Sequence, residues 1–168
     1  MRRKIVVAAM LCLVAISLPV RAQDMPQAAG AAASQPKWIL YQPDQIVWQD
    51  GPPSLLPGAK MAILEGDPSK PGFFTMRLKM PDGYKVYPHW HPMTERLTVI
   101  SGTVNLGMGD NFDPKATKPL VAGTYSSMPP KMTHFAYMTG ESILQLSSIG
   151  PWAIIYVNPA DDPRKHGK

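Results

Sequence analysis

From residue 60 onward, apolar and polar side chains alternate in short runs broken by glycine and proline. The clearest run is FFTMRLKM, residues 73–80. Phe74, Met76, Leu78 and Met80 fall on one side of it, and Phe73, Thr75, Arg77 and Lys79 on the other. A period of two marks a strand with one buried face, which leaves Arg77 and Lys79 facing solvent. KMAILE (60–65), residues 124–128, HFAYM (134–138), residues 142–149 and residues 152–157 are further extended runs, separated by turn residues. Upstream, WILYQPDQIVWQD (38–50) is apolar but broken by Pro43, which suggests two short edge strands. GPPSLLPGA (51–59) is a proline-rich loop, GDPSKPG (66–72) a turn, and DNFDPKATKPL (110–120) a second loop. No segment carries the periodicity of an amphipathic helix. About ten short strands between Gly and Pro turns predict an all-β barrel or sandwich.

The first 22 residues follow a different pattern. Arg2, Arg3 and Lys4 precede an apolar run from Ile5 to Leu18, and small Ala22 closes the segment. The run is too short to span a bilayer comfortably, so residues 1–22 read as a signal peptide cleaved after Ala22, with a periplasmic or secreted product. The paired arginines weakly suggest twin-arginine export, although ordinary signals share them. Residues 23–36, rich in Ala, Gln, Gly and Pro, read as a flexible leader. A β-domain is expected over 37–158, followed by a loosely attached tail at 159–168.

Cleavage changes the charge picture. Seventeen basic residues face twelve acidic ones in the full chain; Arg2, Arg3, Lys4 and Arg21 leave with the signal, so thirteen face twelve. Three of the remaining cations, Arg164, Lys165 and Lys168, sit in the tail, which leaves no basic face for nucleic acid. No second hydrophobic segment calls for a membrane. Cys12, the single cysteine, lies in the signal, so neither a disulfide nor a thiolate is expected in the mature protein.

Chemistry concentrates in GYKVYPHWHPMTERLTVISG, residues 83–102. His89 and His91, one residue apart, point the same way on a strand. A turn through Pro92, Met93 and Thr94 returns the chain, and Glu95 opens a second strand, giving a β-hairpin that sets a carboxylate beside two imidazoles. Two imidazoles and a carboxylate suit Fe, Mn, Ni, Cu or Zn. By parity Tyr87 shares the face of His89 and His91, where it is a candidate donor or proton carrier; Leu97 and Val99 accompany Glu95. Five methionines, Met93, Met108, Met128, Met132 and Met138, lie near these positions, and core filling explains them better than copper ligation. No G-x-S-x-G, P-loop or HExxH is present, and the GMG at 107–109 lacks the helix and third glycine of a nucleotide fingerprint.

The spacing of Gly83, His89, His91, Glu95 and Gly102 resembles the first motif of the cupin superfamily, and Gly123, Pro129 and His134 fall at the gaps of the second. Lys131 stands where the family usually has a turn glycine, and Met138 where it usually has asparagine. The resemblance implies a double-stranded β-helix, or jelly-roll barrel, with one divalent transition metal held by His89, His91, Glu95 and His134. The fourth histidine, His166, lies in the tail. Lys131 puts a tight turn in question and suggests a cation at the pocket mouth. With Ala136 and Met138 beside His134, the lining is apolar, which points to a small organic ligand. Dioxygenase-type chemistry with Glu95 and Tyr87 in catalytic roles is one expectation; a non-catalytic ligand- or metal-sensing module, or a structural metal, is another. Resemblance also suggests a homodimer, with 38–48 as a candidate edge.

Overall fold

The alternating runs pair into nine antiparallel strands in the computed structural model, which describes residues 38–165. They are β1 (Gln49–Asp50), β2 (Lys60–Glu65), β3 (Gly72–Met80), β4 (Lys85–Trp90), β5 (Glu95–Met108), β6 (Thr117–Val121), β7 (Tyr125–Met128), β8 (His134–Gly150) and β9 (Ile155–Tyr156). The fold is the all-β jelly roll that the sequence predicts.

Two long strands, β5 and β8, belong to both layers. Along its second half β8 pairs with β3, from Met80↔Ser142 to Gly72↔Gly150, and with the start of β5, Arg96↔Ser147 to Ser101↔Ile143. Along its first half it pairs with β4 and with the end of β5, Thr103↔Thr139 to Met108↔His134. One layer therefore runs β1-β2-β3-β8-β5-β7 and the other β9-β4-β8-β5-β6. The strands change layer at Gly102 and Gly140, whose φ angles are +74° and +72°, and the β5–β8 register shifts on either side of Ser101. A Cβ at Gly102 would sit 2.7 Å from Ser142 Cα, so the bend needs glycine for space as well as for backbone angle.

Phe74, Met76, Leu78 and Met80 of β3 are buried as their alternation predicts, and they meet Leu97, Val99, Val104, Leu106, Leu144 and Leu146 between the layers. Arg77 and Lys79 lie on the outer face but are half covered: Arg77 donates to Gln145 Oε1 at 3.2 Å, and Lys79 sits 4.8 Å over the Trp48 ring.

Several expectations are corrected. Residues 38–48 form no strand; the segment holds one 3-10 turn, Pro43–Gln45, before the two-residue β1. Pro43 supplies the fixed φ of that turn, and Trp38 and Val47 stay exposed. The loop at 110–120 contains a strand, since Thr117–Val121 pairs with Thr103–Gly107. Pro119 is tolerated there because β6 lies at the sheet edge. The tail is docked through residue 165: Arg164 donates to both Asp162 carboxylate oxygens and to Ile154 O. His166 lies outside the described residues, as do residues 1–22 and 23–36, where a signal and a leader are expected.

Candidate metal centre

The stretch that carries the first three candidate ligands is a corner and not a hairpin. β4 pairs with β8 and β9, whereas β5 pairs with β6, β7 and β8. Pro92, Met93 and Thr94 thus carry the chain from one layer to the other. Thr94 O accepts from buried Ser148 Oγ at 2.8 Å, and His91 O accepts from Lys131 N at 2.9 Å, so both ends of the corner are tied down. Lys131 itself holds φ +65°, the left-handed conformation a glycine would take, so the turn survives the substitution. Its side chain is exposed and does not line the cavity.

Because of that corner the ligands converge from opposite layers. His89, near the end of β4, is the direct cross-strand partner of His134 on β8, and His91 follows two residues on. Glu95 begins β5 opposite Met128 of β7. All four residues are buried, and the ligand nitrogens of the three histidines lie within 4.8 Å of one another. Glu95 Oε2 is 3.1 Å from His134 Nε2 and 3.4 Å from His91 Nε2.

The other ring nitrogen of each histidine is already engaged. His89 Nδ1 meets Tyr87 O at 2.7 Å, His91 Nδ1 meets Ala153 O at 2.8 Å, and His134 Nδ1 meets Met132 O at 3.0 Å. A carbonyl oxygen only accepts, so each Nδ1 carries a proton, and in the neutral form of each ring the lone pair sits on Nε2, the nitrogen left for the cavity. This is the tautomer lock found behind metal-binding histidines. His91 is held further by the Trp152 ring, stacked at 3.9 Å and 18°.

Electrostatics follow from burial. Burial, reinforced by the rings of His134 and His91, holds His89 well below the usual imidazole range. Burial also opposes ionisation of Glu95, but His134 and His91 outweigh it and hold the carboxyl well below its ordinary range. For His134, Glu95 overcomes the cost of burial and raises the pKa. Even so, His91 Nε2 and Glu95 Oε2 have no hydrogen-bond partner that meets the geometry, despite approaches of 3.4 and 3.1 Å. A buried imidazole lone pair and a buried carboxylate left over together are costly unless something else meets them. Three imidazole nitrogens and one carboxylate, all converging and two of them orphaned, fit a divalent transition ion.

Around these four residues the cavity, of about 50 Å³, is walled by apolar side chains, among them Leu97, Met128, Ala136 and Met138. Tyr87 is not among them. Val86 pairs with Ala136 and His89 with His134, three steps on β4 against two on β8. That bulge, at a Pro88 with no N–H to give, reverses the alternation, so Val86 faces the cavity and Tyr87 packs outside on Phe112 at 5.3 Å. Leu55, Trp152 and Ile154 also line the cavity, and sequence parity could not find them because they come from distant loops.

No curated protein sequence matches this chain. Among solved structures, the polyketide cyclase RemF from Streptomyces resistomycificus superposes with TM-score 0.62 at 13% identity, over 77% of this chain and 92% of the other. A proposed acetylacetone dioxygenase from Methylibium petroleiphilum PM1 gives 0.59 at 20% identity, over 78% and 88%. An RmlC-like cupin from Shewanella frigidimarina gives 0.52 at 20% identity, over 66% and 90%. These likenesses are of fold. The fold of this chain is that of these cupin structures; residues 26–154 match the family described as a domain of unknown function, DUF4437, and the chain belongs to that family.

Proposed function

We propose that this protein is an exported cupin that holds one divalent transition metal ion through His89, His91, His134 and Glu95 and acts there on a small organic molecule. The observation that carries the reading is the set of three Nδ1-to-carbonyl hydrogen bonds, which leave the three Nε2 atoms to converge beside buried Glu95, whose Oε2 has no aligned hydrogen bond. When bound, iron, manganese, nickel, copper or zinc would supply Lewis acidity there, and the redox-active members electron transfer as well. The chain does the rest. Its backbone carbonyls and Trp152 orient the imidazoles, its apolar walls exclude water, and Glu95 Oε2 can hold or pass a proton. The proposed dioxygenase among the structural relatives favours oxidative turnover of the organic substrate.

One observation favours a second reading, a non-catalytic ligand- or metal-sensing module. With Tyr87 on the outer face, Glu95 is the only carboxylate in the cavity lining among the described residues, and no lysine, tyrosine or cysteine of these joins it. Binding of azide or nitric oxide to metal-loaded protein, seen as a spectral shift, is expected of a site open to substrate.

Metal content by mass spectrometry tests the main reading, on full-length protein exported from its host and purified without chelators. About one equivalent is expected, falling below about a tenth in His91→Ala while the circular dichroism spectrum is kept. An unchanged metal load in that variant would overturn the ligand assignment. Export rests on residues 1–22 and predicts a mature protein that begins at Gln23; an intact mass that retains Met1 would refute it.

A further inference from the structure

The four candidate ligands are buried, so a substrate needs a way in. Most of the cavity wall is strand, and strands hydrogen-bonded on both sides do not swing aside singly. Leu55 is different. It belongs to the proline-rich loop 51–59, is only 5% exposed, and shares the cavity with His89, His91, Glu95 and His134. The loop starts and ends at the two-residue ladder of β1 with β2, where Gly51 N donates to Ala59 O at 2.9 Å. Pro52, Pro53 and Pro57 stiffen it, and a Leu55 N to Pro52 O bond at 2.9 Å forms the turn that aims Leu55 inward. Two hydroxyls fasten it on either side of that residue. Tyr156 Oη donates to Ser54 O at 2.7 Å, and Tyr84 Oη to Leu56 O at 2.6 Å. Tyr84 leads into β4, and Tyr156 on β9 is the cross-strand partner of His89, so both latches stand beside the strand that carries His89.

We propose that residues 51–59 form a latched lid over the cavity. The Leu55 side chain limits the site to ligands of about three to five non-hydrogen atoms that have one polar end and an apolar body. The size follows from the cavity volume, about 50 Å³, set against the roughly 10–15 Å³ needed to seat one water. The polarity follows from the lining: among the described residues only the three histidines, Glu95 and the Trp152 indole offer a charge or a strong hydrogen bond there, so a ligand polar group out of their reach would go unpaired. The ligand class rests on the metal-centre reading above; the lid does not.

Two measurements separate those parts. On metal-loaded protein, calorimetry with imidazole and 4-phenylimidazole compares a probe that fits with one that does not. Wild type is expected to prefer imidazole by about 100-fold or more, and Leu55→Ala to bring the ratio within about tenfold. On metal-free protein, diethylpyrocarbonate modification of His89, His91 and His134, followed by peptide mass spectrometry, reports access to the cavity directly. Tyr84→Phe/Tyr156→Phe keeps the rings and removes the latches, and is expected to raise the modification rate about tenfold, with Leu55→Ala doing the same. If the protein takes up no metal, or imidazole fails to bind the loaded protein, while the modification rates rise, the reading of a metal centre open to ligand falls and the lid stands. If imidazole binds but ratio and rates are unchanged in folded variants, the lid is overturned. Should Leu55→Ala not fold, the double phenylalanine variant decides.

Discussion

The two ends of the barrel bury polar side chains in opposite ways. At the bend where β5 and β8 change layer, Ser142 is fully buried; its Oγ accepts from Thr103 N and donates to the carbonyls of Thr103 or Gly140. Asn105 nearby donates to Tyr137 O and Thr139 Oγ1. At the other end, the corner through Pro92–Thr94 brings His91 Nε2 and Glu95 Oε2 into an equally buried place and leaves them without partners. A bend maintained only for folding uses up its polar atoms within the chain. A site keeps some unspent, so the unsatisfied end is the one that points to function.

The largest effect expected from this contrast is at the satisfied end. Gly102→Ala would force a Cβ toward Ser142 and Glu141 at a positive φ, and should cost about 3 kcal/mol in chemical denaturation of the metal-free protein. A loss under about 0.5 kcal/mol would mean that the bend is not held as tightly as its geometry suggests. Next comes Ser148→Ala, which strips Thr94 O of its buried donor behind the ligand corner and should cost about 1–2 kcal/mol. Because Thr94 precedes Glu95, this variant should also weaken metal retention during dialysis against a chelator.

Glu95→Leu turns the comparison round. Removing this buried carboxylate, whose Oε2 has no aligned hydrogen bond, should leave the metal-free protein as stable as before or about 1 kcal/mol more stable, while metal content drops. Marked destabilisation of the metal-free protein would show that the pairing with His134 is structural, and would blur the distinction between the two ends.

The smallest effect is read at high pH. Burial raises Tyr84 above the ordinary phenol range and pushes Tyr156 up to about 12. The unfolded chain loses its tyrosine protons near 10, so this contribution to stability is complete below about pH 10 and is lost as pH rises through the folded values. Tyr84→Phe/Tyr156→Phe should therefore flatten the fall of stability with pH between 10 and 12. An unchanged slope would remove these tyrosines as its cause.

Much of this molecule is written in local pattern. Alternation at 73–80 set the buried face of β3, and parity with the turn at Pro92–Thr94 put His89, His91 and Glu95 together, because strand parity and turn residues act over a few positions; His134 was named only by the cupin resemblance. Local pattern failed where pairing is non-local. The sequence placed β4 and β5 in one hairpin, but a chain segment cannot reveal which distant strand will claim each of its edges, and β8 claims both. Parity put Tyr87 beside the ligands until a bulge at Pro88, visible only against β8, turned it outward. Leu55 and Trp152 reach the cavity from loops far along the chain, so only the closed barrel decides that one lies within it and the other stacks on His91. The sequence by itself determined most of the strands and the donor side chains. Tertiary structure decided which of those atoms would remain without a partner, because hydrogen-bond satisfaction depends on every element that packs around a buried group.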